Sequence, residues 1–335
     1  EQNTSANAVL TADIVVNKNV LKPDGTLNEG TFKEWTPIGN TYNGSYSPYT
    51  GIFEGQNHTI SGLYFKQENT SEVGFFGYNG GKISNVGILN SYFCGFSQVG
   101  GVCGYNSSTI TNCYNKGVVD GTADGASSFG GVCGCNLGIL TNCYNTGIVK
   151  GQSYVGGVSG NNNKTITNCY NTGIVSGQSY VGGIDGDNSG TITNCNNEGK
   201  VSGTEDYVGG VSGSNNKTIT NCYNTGIAKG QSFVGGVSGS NNKTITNCYN
   251  TGIVSGQAYV GGVNGYNGNG TIINCNATGE VNGTDSYVGG VIGMNLRNGT
   301  ITNCYYDSTI YTGNAIGANS GTTTKVEGKT TEQYK

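Results

Sequence analysis

T-I-T-N-C-Y-N-T-G-I-A-K-G-Q-S-F-V-G-G-V-S-G-S-N-N-K, residues 218–243, is followed at once by Thr244-Ile245-Thr246-Asn247-Cys248-Tyr249-Asn250, where the same unit begins again. The cysteine of this unit recurs at Cys113, Cys143, Cys169, Cys195, Cys222, Cys248, Cys275 and Cys304, with gaps of 30, 26, 26, 27, 26, 27 and 29 residues. A weaker copy, Ile83-Ser84-Asn85-Val86, lies 27 residues before Cys113. Self-similarity at such a period is the mark of a stacked architecture. A unit this short cannot bury its apolar face alone and must lean on its neighbours.

Aligning the copies separates inside from outside. Five columns stay apolar, represented in one coil by Ile166, Cys169, Val175, Val155 and Val158. The residue before the third column varies among Ile174, Lys200 and Glu280, so it points outward. Strands put every second residue on one face, yet Ile166 and Cys169 are three apart, as are Val155 and Val158. Both members are internal only if the chain bends between them, at Thr-Asn in one case and at Gly-Gly in the other, where glycine tolerates positive φ. Short strands joined by tight corners describe an all-β fold, a single-stranded parallel β-helix of about nine coils of 26–30 residues. Its expected hand is right, the preference of crossover connections. At about 4.8 Å per coil the rod is on the order of 40 Å long. A helical solenoid would need Leu and Ala patterning, which is absent.

Asn112, Asn142, Asn168, Asn194, Asn221, Asn247, Asn274 and Asn303, with Asn85 before them, form a column without exception. Asn adopts unusual backbone angles and bonds to nearby main chain. We expect a structural ladder with amides bonded along the rod; a binding role would need these residues exposed, which suits the invariance less well.

Composition agrees. The 335 residues include 61 Gly and only 3 Pro, and 11% are charged, for a net charge of -4, against about 25% in ordinary domains. Long helices are disfavoured. Arg297 is the sole arginine, and without clustered Lys and Arg there is no footprint for nucleic acid. No apolar run approaches the roughly 20 residues of a membrane span, so direct membrane insertion is not expected.

The units resemble the GLUG motif, a Gly-rich repeat of bacterial surface and secreted proteins. The resemblance covers roughly residues 60–311 and is best at Gly156-Gly157-Val158-Ser159-Gly160 through Asn168-Cys169-Tyr170-Asn171, and at Gly235-Gly236-Val237-Ser238-Gly239 through Asn247-Cys248-Tyr249-Asn250. The preceding Leu10–Ile14, Trp35–Asn40 and Phe53–Leu63 segments look like the lead-in common in that family. Such repeats occur in adhesin-like proteins and upstream of the catalytic domain in IgA-cleaving metallopeptidases. The resemblance implies an extracellular or cell-surface β-solenoid and no activity for the repeats themselves. We expect an opening coil and cap at residues 1–62, repeats at 63–311, and a polar, weakly ordered C-terminal tail at 312–335, cut from a longer chain.

Candidate chemistry is sparse. Zinc sites use spacings such as C-x2-C, and Cys133-Gly134-Cys135 does not have it. The cysteine column reads as small apolar filler, a slot Val86 takes in the first coil. Adjacent coils bring Cα atoms to about 5 Å, inside the disulfide window, so cross-coil disulfides stay open, with Cys103 and Cys133 the best pair. His58 is the only histidine, and H-E-x-x-H is absent. We expect no catalytic residues, no cofactor and no metal. Asp185 with Asp187, and Glu205 with Asp206, read as solvated turns. A candidate ligand face is the tyrosine file Tyr114, Tyr144, Tyr170, Tyr223, Tyr249 and Tyr305, interrupted by Asn196 and Asn276; a second aromatic file runs through Tyr154, Tyr180, Tyr207, Phe233, Tyr259 and Tyr287. Aromatic stripes can stack on sugars or meet a protein, or simply stiffen the rod.

The expected function is a non-enzymatic structural or adhesive module, a stalk or ligand-presenting solenoid. Its partners would be a host glycan or protein or the neighbouring domains of a longer chain, with end-to-end self-association also open. The alternatives are a carbohydrate-active β-helix enzyme, which would need an acid cluster on one wall, and an ice-binding solenoid using the T-x-T array of Thr165 and Thr167 and their equivalents.

Overall fold

A computed structural model describes residues 3–39, 47–121 and 123–334. Glu1, Gln2, Asn40 of the lead-in and Lys335 lie outside the described residues. One coil shows how the repeat folds. It runs through Ser159–Asn162, Thr165–Thr167, Tyr170–Asn171, Ile174–Gly177 and Ser179–Gly182. Each strand pairs in parallel with its equivalent one coil on: Ser159 with Asp185, Ile166 with Ile192, Tyr170 with Asn196, Val175 with Val201 and Val181 with Val208. The chain is a parallel β-solenoid. One of its sheets holds ten strands, from Phe76–Asn79 to Ile316–Asn319.

The five apolar columns form the core. Ile166, Cys169, Val175, Val155 and Val158 have no exposed surface, and their equivalents line the same interior in other coils. Toward the N-terminal end the filler turns aromatic: Phe53, Phe75 and Phe76 meet edge-to-face with centroids 4.6–5.4 Å apart. Ala8–Val9 and Ile14–Val15 pair with Ile52–Glu54 and Thr59–Ser61 at this end, covering a strand edge that would otherwise invite pairing with another chain.

The Thr-Asn bend is made as expected, and the Gly-Gly bend is not. Positive φ falls on the asparagines, such as Asn168 at 53°, and on the second aromatic file, such as Tyr154 at 55°. The Gly-Gly pairs do not adopt it. They are glycine because the backbone of the adjacent turn is too close. A Cβ on Gly156 would lie 1.8 Å from the Ser159 carbonyl oxygen, and one on Gly157 would lie 2.1 Å from that of Gly183.

The expected weakly ordered tail is corrected in its core. Ile316–Asn319 continues the ten-stranded sheet, and Thr322–Lys329 pairs with Thr300–Asp307 at seven positions. The segment lacks the Ile and Cys markers, but backbone pairing does not need them, and Val326 takes the place of Cys304.

Candidate ligand face

Alternation across the corner sets the Tyr file. Cys169 points inward, Tyr170 outward and Asn171 inward again. Parallel register then lays ring upon ring: Tyr114–Tyr144 at 4.7 Å and 5°, Tyr144–Tyr170 at 4.6 Å and 6°, and Tyr223–Tyr249 at 4.9 Å and 3°. Glycine is needed beneath the first ring, because a Cβ on Gly87 would sit 2.1 Å from Tyr114 Cζ. Asn196 stands in register between Tyr170 and Tyr223, and Asn276 between Tyr249 and Tyr305. Burial is the leading cause that pushes the Tyr144 phenol up to about 12, ahead of its two stacked neighbours. Lys329 Nζ lies 3.7 Å from the Tyr305 ring centre, a cation–π contact.

The second file is also stacked, with Tyr180–Tyr207 at 4.7 Å, Tyr207–Phe233 at 4.9 Å and Phe233–Tyr259 at 4.6 Å. Its left-handed backbone is disfavoured for a bulky residue, and it swings each ring over the adjoining sheet. Tyr154, Tyr180 and Tyr207 thereby face Asp187, Asn216, Asn242 and Tyr266 across a groove of about 340 Å³.

Three asparagine ladders run along the rod, one of them only from Asn115 to Asn250. The ladder expected from Asn112 to Asn303 is present: Asn142 Nδ2 donates to Asn112 Oδ1 at 3.0 Å and Asn303 Nδ2 to Asn274 Oδ1 at 3.2 Å. It stands on the outside, contrary to the expectation that its invariance means concealment. The invariance follows from the left-handed corner, which Asn accepts. Two further ladders are fully buried. One joins Asn145, Asn171 and Asn197 at 2.9 Å per step, and the other joins Asn136, Asn162 and Asn188 at 2.8 and 2.9 Å. Sequence reasoning misses both. The signal for the first is the second Asn of N-C-Y-N, which gives way only at Ala277 and Tyr306 in the later coils.

All twelve cysteines are buried free thiols, Cys103 and Cys133 included. The column is more than filler. The Cys169 backbone N–H points at Cys195 Sγ at 3.4 Å, and the Cys169 thiol donates to the Thr167 carbonyl at 3.3 Å. Burial pushes the Cys113 thiol up to about 12.

The solvated-turn reading of Asp185 and Asp187 is corrected. Both lie in the strand Asp185–Asn188, and Asp185 is wholly buried, in the column of Ser159 and Ser212. Gly186 between them suggests a turn, yet it is there for close backbone contact, since its Cβ would lie 2.5 Å from the Gly160 carbonyl oxygen. Neither Asp185 carboxyl oxygen has a hydrogen-bond partner; burial, and then Asp187, push this carboxyl well above the usual range. Glu205 and Asp206 do lie in a turn, where Glu205 accepts a bond from Ser179 Oγ at 2.9 Å. His58 Nδ1 is 3.3 Å from Asp13 Oδ1. Among the described residues, no three His, Cys, Asp or Glu side chains gather in a way that could hold a metal ion. The T-x-T threonines are in register, Thr165 with Thr191 and Thr218 with Thr244.

No curated protein matches the chain. Among solved structures, it is similar to the crystal structure of "a putative immunoglobulin A1 protease" from Bacteroides ovatus. That likeness has 21% identity and a TM-score of 0.37, and covers 100% of this chain and 80% of that one. Residues 97–120 and 256–282 match the GLUG motif, so two stretches of this parallel β-solenoid carry that repeat.

Proposed function

We propose that this solenoid is a non-enzymatic, ligand-presenting module of an extracellular or cell-surface protein, and that its aromatic faces meet a glycan or a protein. The supporting observation is the outward Tyr file, held in register by buried strands on either side of each ring. A β-solenoid with three amide ladders is stiff along its axis, so it can hold a binding surface at a fixed distance from whatever carries it. Repetition of similar rings offers many weak contacts, and linked weak contacts raise avidity well beyond a single one. The test is a glycan array together with a panel of host-protein surfaces, probed with the purified chain. Binding that weakens when Tyr144 and Tyr170 are both changed to Ser is expected. Binding that depends instead on the T-x-T face, or hydrolysis of an arrayed glycan, would overturn the reading.

A further inference from the structure

Tyr144 is stacked on both faces, which leaves mainly its ring edge for a ligand. The register opens ring faces where Asn interrupts the file, at Asn196 and at Asn276. Tyr170 is stacked on Tyr144 on one side, Tyr223 is stacked on Tyr249 on the other, and the coil between them carries Asn196. Asn is too short to reach the level of the phenol rings. Two ring faces therefore look at each other across two coil spacings, about 9.6 Å, which is the place of one missing six-membered ring.

The base of this gap is polar. Asn196 Nδ2 donates to Glu198 Oε1 at 3.0 Å, and Glu198 is exposed. Its carboxylate is close enough to both walls to bear on their phenols. Burial first and Glu198 second push Tyr170 up, and burial, Tyr249 and Glu198 do so for Tyr223. The gap thus offers two aromatic faces, a carboxylate acceptor and an amide. A pyranose has the matching surface: apolar C–H faces above and below, and hydroxyls around its edge. A flat aromatic side chain would match the walls but leave the Glu198 carboxylate unused, and an acidic sugar would meet that carboxylate as a like charge. The gap at Asn276 is built differently, since Thr278 stands in its coil where Glu198 stands in the Asn196 coil.

We propose that the Tyr170–Asn196–Tyr223 gap is a carbohydrate slot that takes one pyranose ring of a neutral glycan between two tyrosine faces, with Glu198 and Asn196 bonding its hydroxyls. This rests on the ligand-presenting reading and narrows it to one site and one ligand class.

The test compares the full chain with Asn196→Tyr and Asn276→Tyr on immobilised neutral oligosaccharides ending in glucose, galactose, mannose or N-acetylglucosamine. Tyr is the residue most coils carry at this register, so Asn196→Tyr fills the slot while keeping the fold. Binding of at least one of these sugars is expected, weakened at least about tenfold by Asn196→Tyr, the scale of a lost ring-stacking contact, and unchanged by Asn276→Tyr. Sugar binding indifferent to Asn196→Tyr would overturn the slot and leave the ligand-presenting reading standing. Binding of N-acetyltyrosine amide but of none of the sugars, lost in Asn196→Tyr, would assign the slot to a protein ring and overturn the carbohydrate proposal. No binding of any of these probes overturns the slot as well, and the broader reading is then decided by the host-protein panel.

Discussion

Asn171 Nδ2 lies 2.9 Å from Asn197 Oδ1 one coil further on, and neither side chain has any exposed surface. The same Asn171 accepts from Gly173 N at 3.2 Å, donates to Gly173 O at 3.1 Å, and accepts from Asn145 Nδ2 at 2.9 Å. One amide therefore closes a turn and links three coils. Replacing it with Ala strands several buried polar groups, at about 1–3 kcal/mol each. Asn171→Ala is expected to lower the denaturation midpoint clearly and to speed hydrogen exchange most in the coils on either side. An effect no larger than that of an exposed substitution such as Thr172→Ala would contradict the role of the ladder.

The outer ladder behaves differently. Asn168 has φ of 53° and its side chain is exposed. Here the backbone angle, more than the amide bond, selects the residue. Asn168→Gly is expected to be near neutral, whereas Asn168→Ala loses about 1–2 kcal/mol from the left-handed conformation. Equal melting temperatures for the two variants would show that backbone angle is not what selects Asn.

Most of the fold is legible in the sequence, and the reason is mechanical. Ile166 and Cys169 are three apart and both internal, which only a bent strand allows, and the repeat carries that inference from coil to coil. The parts that escape do so for physical reasons. Asn171 is polar and sits among exposed neighbours, and nothing local shows that it bonds to itself one coil away. Tyr154 is a ring at a left-handed angle, a conformation that residue type does not announce. Asp185 is hidden by Gly186, which suggests a turn but serves close packing. Thr322–Lys329 lacks the marker residues and joins the sheet through its backbone, with Val326 packed against the core. The tyrosine file can be read directly, but the gap at Asn196 gains meaning only once the flanking rings are known to stack.

The thiols provide a chemical test. With all twelve cysteines buried and free, a thiol reagent is expected to label almost none in the native protein and about twelve after denaturation, as follows from reactivity controlled by exposure and thiolate content. A count near zero after denaturation without reductant would mean that coils are joined by disulfides.

Asp185 gives a pH signature. Its folded carboxyl is pushed well above the ordinary value by burial and by Asp187. Below about pH 4 both the folded and unfolded states hold the proton. As pH rises past that point, the unfolded chain ionises while the native one does not, so stability falls with rising pH until the folded group ionises too. Asp185→Ser, the residue of the neighbouring coils, is therefore expected to stabilise the protein at pH 7. The gain should shrink toward pH 4 in chemical denaturation. A gain that is constant across this range would show that Asp185 is not held protonated.

Everything here depends on coil lying upon coil in register, and a distance measured along the rod tests that most directly. Thr111 and Thr302 share one column and are separated by seven inter-coil steps through Thr141, Thr167, Thr193, Thr220, Thr246 and Ile273. Spin labels introduced as unnatural amino acids at these two positions, read by pulsed electron resonance, should give one narrow distribution near seven spacings of about 4.8 Å, about 34 Å. A broad distribution, or a single peak well away from that distance, would contradict the stacked solenoid and with it the facing of Tyr170 and Tyr223.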